Sequence, residues 1–300
     1  MIRLAVRVRR EQSELVLAEL LEFAPAGIEE VAVGEQIVEY AVYGAPGELP
    51  GLPDLHALAG DALVEISTRE IPDDWHERWK QFHHAILIPA PAPRHGEQGR
   101  IPSLHVRPPW EAPSAAQEGS VREIVIDPGQ AFGTGAHAST RMCLELLLEL
   151  AGEDQRRGRL LDIGTGSGVL AIAAATLGFR PVLGLDNEQE SVSAARENAL
   201  VNKAVIEVDR FDLRAEPLPW MGEQDEQAPS TVVLANLLRP LLLELASTMA
   251  RAPAHLIASG LLVEEVDEVA QVFLSRLGLS ERHRLLSGEW AALWLISASG

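Results

Sequence analysis

The chain has 300 residues, 47% of them hydrophobic, and a single cysteine. That is enough apolar material for a large core with a smaller one beside it, and too few thiols for an intrachain disulfide or a cysteine-based metal site. A formal net charge of −19 is common for solubility alone, but it disfavours extended binding along a nucleic-acid backbone and favours a basic partner.

Residues 1–70 read as one unit. Ile2, Leu4, Val6 and Val8 alternate with Arg3, Arg7 and Arg9, the pattern of a half-exposed strand and not of a signal peptide. No apolar run reaches the roughly 18 residues of a membrane helix, so a soluble cytosolic protein is expected. A helix is expected over 12–22, strands over 28–33 and 36–43 around Gly34-Glu35, a short helix at 54–59 and a strand at 62–67. This β-α-β-β-α-β order predicts a small α+β, ferredoxin-like domain that binds or positions something.

In residues 71–120, Trp75, Trp79 and Phe82 recur at helical spacing, which predicts a connecting helix with one apolar face. From Pro89 to Ser120 the Pro, Gly and polar content predicts loops and a short hairpin around Leu104–Val106. His83, His84, His95 and His105 lack ligand spacing, so no metal is assigned.

Beyond residue 120, strand and helix patterns alternate regularly. Strands are expected at 124–126, 159–163, 181–185, 205–208, 231–235 and 255–259, with helices at 139–150, 169–177, 189–198, 240–250 and 264–277. A last pair of strands, at 283–287 and 290–297, flanks Gly288-Glu289 and predicts a hairpin. Such an alternation implies an α/β fold with a mostly parallel sheet covered on both faces. With an antiparallel hairpin at its end, that is the Rossmann-like layout of class I methyltransferases.

Within this region Leu160-Leu-Asp-Ile-Gly-Thr-Gly-Ser-Gly168 joins a buried strand to a helix. Gly164, Gly166 and Gly168 suit a turn in which a Cβ would block the bend or a ligand against the backbone. Asp186 closes the next strand, where an α/β nucleoside-binding fold places a carboxylate for two ribose hydroxyls. The dinucleotide pattern G-x-G-x-x-G is not met, because the third glycine comes one residue early. Asp162, two residues before the first glycine, would repel a phosphate and suit a cationic ligand such as S-adenosylmethionine. An ordinary tight turn without a ligand is the competing reading; two acids at successive strand ends weigh against it.

Three segments carry a family resemblance. Asp127-Pro-Gly-Gln-Ala-Phe132-Gly-Thr-Gly-Ala-His137-Ala-Ser-Thr140, Asp162–Gly168 with Asp186, and Leu234-Ala-Asn236-Leu-Leu are together similar to the bacterial methyltransferases of large-subunit ribosomal protein eleven. Ala136 and Ala138 replace the threonine and proline common in that family's loop. The resemblance implies Thr140, Gly164, Asp186 and Asn236 as cofactor contacts. Phe132, a lid with Gly133 and Gly135 as hinges, and Asp162 and Gly166 stand as secondary candidates. It implies a basic ribosomal protein as substrate, methylated on its α-amine and lysines, with no direct nucleic acid or membrane partner; a monomer is expected.

A lysine with a pKa near 10.4 is deprotonated at pH 7 at a cost of roughly 4–5 kcal/mol, an α-amine near 8 at about 1 kcal/mol. Desolvation beside a sulfonium shrinks both costs, so no catalytic base is expected, His137 included. Asn236 is followed by Leu237-Leu238-Arg239 in place of Pro-Pro-aromatic, which favours an aliphatic amine over a flat base or amide. Two other readings stay open: the same core acting on another protein lysine or a small amine, and a non-catalytic adaptor.

Overall fold

The structure, a computed structural model, describes residues 2–10, 13, 16, 20, 29–32, 36–44, 62–70, 83–91, 101–116, 119–128, 135–153, 158–221 and 231–297. The helices expected at 54–59 and around Trp75–Phe82, and the loop residues Phe132 and Gly133, lie outside these. The chain divides into two compact units, Met1–Phe82 and His83–Gly300.

In the first unit β1 (Ile2–Arg9), β2 (Glu29–Ala32), β3 (Ile37–Gly44) and β4 (Leu63–Glu70) form an antiparallel sheet in the order β2-β3-β1-β4. Period-two alternation sorts its faces. Leu4, Val6, Val8, Val38 and Tyr40 are buried against the helical residues Val16 and Leu20. On the other face Arg3 and Arg7 each donate to Glu39 at 2.7 Å. Those two guanidiniums, Arg3 foremost, hold the Glu39 carboxyl below its usual range despite its burial.

The second unit opens with β5 (Ile86–Ile88), β6 (Ser103–Arg107) and β7 (Val121–Val125), a separate three-stranded sheet. β5 and β6 are antiparallel; β6 and β7 are parallel. The strand expected to begin the large sheet, at 124–126, pairs instead with β6. The reason lies in its alternation: Leu104, Val106, Ile124 and Ile126 enter the main core, while Glu123 turns away and accepts hydrogen bonds from Arg107 at 3.1 Å and, on its side, His105 at 3.0 Å.

The main sheet contains β8 (Leu160–Ile163), β9 (Val182–Asp186), β10 (Glu207–Arg210), β11 (Val232–Asn236), β12 (His255–Leu262), β13 (Ser280–Ser287) and β14 (Trp290–Ile296). Their order is β10-β9-β8-β11-β12-β14-β13. The first five are parallel, and β14 runs antiparallel to both of its neighbours. Among the described residues of this unit, the helices are α1 (Ala138–Glu153), α2 (Val169–Thr176), α3 (Gln189–Val201), α4 (Arg239–Thr248) and α5 (Val266–Leu277). Alternate residues of β11 divide the core: Val232 and Leu234 pack with α1 and α2, Val233 and Ala235 with α4 and α5. Burial on both faces explains why β11 reads as an unbroken apolar run from Val232 to Ala235. None of the described helices is long and apolar enough to cross a membrane.

β8 leads through α2 to β9 on one side, and β11 lies on its other side. The strand order therefore reverses at β8 and β11, and a crevice opens beyond their carboxyl ends, where open α/β sheets bind ligands.

Candidate active site

The turn from β8 to α2 carries positive φ at Gly164 (73°), Gly166 (54°) and Gly168 (83°). Side chains rarely adopt that region, so the spacing seen in sequence corresponds to three left-handed positions. Two of them are also sterically closed. A Cβ on Gly164 would stand 2.5 Å from Leu237 Cδ2, and one on Gly168 would stand 3.0 Å from Ala195 Cβ. The first glycine admits the chain leaving β11, and the third lets α3 pack on the turn.

Asp186 fixes this turn from the next strand. Its Oδ2 accepts the Gly166 N–H at 2.9 Å and its Oδ1 accepts the Glu188 N–H at 3.1 Å. A carboxylate oxygen has capacity for a second hydrogen bond, so hydroxyl donors can still be received. Across the crevice, Asn236 Nδ2 donates to Thr140 Oγ1 at 3.1 Å. That bond ties the tip of β11 to the first turn of α1.

Asp162 sits beneath the turn and is fully buried. Its Oδ2 accepts the Thr165 hydroxyl at 2.7 Å and the Ala171 N–H at 3.1 Å. Among the described residues, no group bonds Oδ1. Burial pushes this carboxyl up to about 7, and the nearby charge of Asp186 adds to the shift. His137, before α1, shares a hydrogen at 2.7 Å between Nδ1 and Ser139 Oγ. Its ring meets the Trp290 ring edge-on, with centroids 4.7 Å apart.

These groups enclose a cavity of about 580 Å³, within the range of small-molecule sites. Thr140, Gly164, Gly166, Asp186 and Asn236 all line it, so five of the residues singled out in sequence meet in one place. Asp162 is not in the wall but under it, and Phe132 lies outside the described residues. A smaller hollow of about 100 Å³ adjoins, shared through Asp186 and Asn187 and closed by Phe211, Asp212 and Leu213. Sequence reasoning missed this trio. The clue was available: it follows β10 as Asp186 closes β9, and strand ends on this edge face the crevice.

Among the described residues that line the larger cavity there is no lysine or arginine. A pyrophosphate would find no cation there, and the Asp186 carboxylate in the wall suits a cationic ligand. The pattern of the family described as Ribosomal protein L11 methyltransferase (PrmA) matches residues 60–297. The chain belongs to this family. The ribosomal protein L11 methyltransferase of Syntrophotalea carbinolica is 36% identical over 278 residues, covering 91% of this chain and 80% of that one. That of Geobacter sulfurreducens is 39% identical over 247 residues, covering 81% and 73%. The crystal structure of the ribosomal protein L11 methylase from Lactobacillus delbrueckii subsp. bulgaricus superposes with a TM-score of 0.53 at 28% identity, over 65% of this chain and 94% of that one. Membership of the L11 methyltransferase family makes this a methyltransferase, with S-adenosylmethionine as donor.

Proposed function

We propose that this protein transfers methyl groups from S-adenosylmethionine to the α-amine and lysine side chains of ribosomal protein L11 in the cytoplasm. The observation that carries the reading is the convergence of Thr140, Gly164, Asp186 and Asn236 on one cavity without a lysine or arginine in its described wall. Asp186 holds the ribose hydroxyls, and the smaller hollow between Asn187 and Phe211–Leu213 takes the adenine. Gly164 and Gly166 let the ligand lie against backbone. Thr140 and Asn236 hold the methionine end.

When bound, the cofactor supplies an electrophilic methyl on a sulfonium, whose sulfur leaves as a neutral thioether as the amine nitrogen forms its new bond. The chain's part is to present the amine as a free base in line with that bond and to keep water out. Leu237, Leu238 and Trp290 supply the dry wall. With its Nδ2 committed to Thr140, Asn236 turns its Oδ1 end to the amine's N–H. The ammonium product loses its proton to solvent.

The strand order β2-β3-β1-β4, with helical residues between β1 and β2, supports a ferredoxin-like fold for residues 1–70. We assign substrate recognition to it. Cross-linking the full chain to ribosomal protein L11 is expected to place the substrate on this segment.

Radiolabelled S-adenosylmethionine, added with this protein to a lysate from cells lacking the enzyme, is expected to label one ribosomal protein. Mass spectrometry of that protein should show methylated amines. Label spread over many proteins, or confined to a small molecule, would replace the reading by the broader one of an amine methyltransferase.

A further inference from the structure

Leu238 stands against two ordinary preferences. It is the N-cap of α4, with φ −63° and ψ 152° and no side-chain bond to the helix, where Ser, Thr, Asp or Asn is favoured. It is also 65% exposed, at the wall of the cavity. Leu237 beside it packs partly into the core. Leu238 therefore gives the fold neither a cap nor much burial.

The local backbone tolerates this. Leu238 O accepts the N–H groups of Leu241 at 3.0 Å and Leu242 at 3.2 Å. Pro240 has no N–H to cap, so the helix start asks less of the side chain at 238. The position is free for another use, and an apolar group at a cavity mouth points to a ligand with apolar surface. Its shape matters too. A branched aliphatic side chain offers no flat face to a base or an amide, but it packs well along a flexible methylene chain.

We propose that Leu238 is a specificity-determining residue for the acceptor, packing along the methylene stem of the incoming lysine so that its amine arrives at Asn236. The inference rests on the reading of this protein as a methyltransferase of ribosomal protein amines. The stem is desolvated against Leu238, with Leu241 and Trp290 completing the apolar rim, and the amine at its far end meets the side-chain amide of Asn236 at the β11 tip.

The test uses the full-length protein, purified ribosomal protein L11 and three variants: Leu238→Ser, Leu238→Ala and Leu238→Met. For Leu238→Ser, kcat/KM at lysine is expected to fall about tenfold, mostly through KM, as for a lost apolar pocket contact. The dissociation constant for S-adenosylmethionine should stay within twofold. The melting temperature should hold or rise, since serine supplies the missing cap. Leu238→Ala should resemble Leu238→Ser in kinetics, and Leu238→Met should restore most of the activity. Unchanged kcat/KM in the serine and alanine variants overturns the proposal. So does a parallel loss of cofactor affinity, or a drop in melting temperature that methionine rescues along with activity. If the unaltered protein binds S-adenosylmethionine yet methylates no amine of ribosomal protein L11, the functional reading fails and this inference falls with it.

Discussion

Before any ligand arrives, the carboxylate of Asp186 already holds the N–H groups of Gly166 and Glu188, so one side chain both shapes the glycine turn and faces the cavity. Replacing it with alanine removes a receptor for hydroxyls and frees the turn. Charge-assisted hydrogen bonds are worth about 1.5–3 kcal/mol, so Asp186→Ala should weaken S-adenosylmethionine binding by roughly tenfold to a hundredfold in calorimetry; affinity within twofold would remove Asp186 from the site. Asp162 makes a different prediction. Its folded pKa of about 7 lies above the ordinary value of 3.8, so the folded protein binds the proton more tightly than the unfolded chain. Below pH 4 both states hold that proton and no penalty exists. Between pH 4 and 7 the unfolded chain releases it first, so stability falls as pH rises, by about 4 kcal/mol in total, and levels off above pH 7. Asp162→Asn carries no charge to bury. Its melting temperature relative to the unaltered protein should therefore climb by several degrees from pH 5 to pH 8, and a difference independent of pH would contradict the buried carboxyl. His137 is engaged with Ser139 and Trp290, which suits a wall residue. His137→Ala should lose less than tenfold in turnover, because general base catalysis would be worth about a hundredfold or more; single-turnover rates decide between the two.

At the scale of elements, the segment from β11 to α4 is held from both sides by glycines. Gly164 admits the Leu237 side chain, and Gly260, with φ 82°, admits its backbone: a Cβ there would lie 2.6 Å from Leu237 O. Gly260→Ala combines a left-handed position with a backbone clash, each worth about 1 kcal/mol or more. It should lower the melting temperature and push Asn236 from Thr140, so that turnover falls more than tenfold; thermal unfolding and kinetics on the same preparation check both. The contrast between the two sheets shows what sequence can reveal. β9 and β11 are legible because a parallel strand buried on both faces is an apolar run with a helix after it. The turn after β8 and the acid ending β9 were legible because only certain residues fit a left-handed bend or a strand tip. The sheet to which β7 belongs is not legible, because Ile124 and Ile126 mark an apolar face and say nothing about which strand lies alongside. The hollow at Phe211–Leu213 leaves little trace in the sequence because β10 is a short edge strand whose burial pattern has a single buried residue.

Across the whole molecule, two compact units share a chain with 44 acidic and 25 basic residues. The unit boundary was less legible than the folds, since residues 83–120 look like a linker in composition while Ile88, Leu104 and Val106 lie in the main core. The acidity bears on function through range. Contacts inside the cavity act over a few ångströms and are shielded from ions, whereas attraction between an acidic enzyme and a basic protein acts over the Debye length, about 8 Å at physiological salt and about 3 Å at 1 M. Steering of this kind raises association rates by about tenfold to a thousandfold. Raising salt from about 0.05 to 0.5 M should then lower kcat/KM for ribosomal protein L11 by about tenfold. Binding of S-adenosylmethionine, measured by calorimetry in the same buffers, should change less than about threefold, because charges inside a cavity are screened less by salt than exposed ones. A parallel fall in both would place the salt effect inside the site. A flat kcat/KM would mean that the acidic surface keeps the protein dissolved and that recognition depends on shape and apolar contact alone.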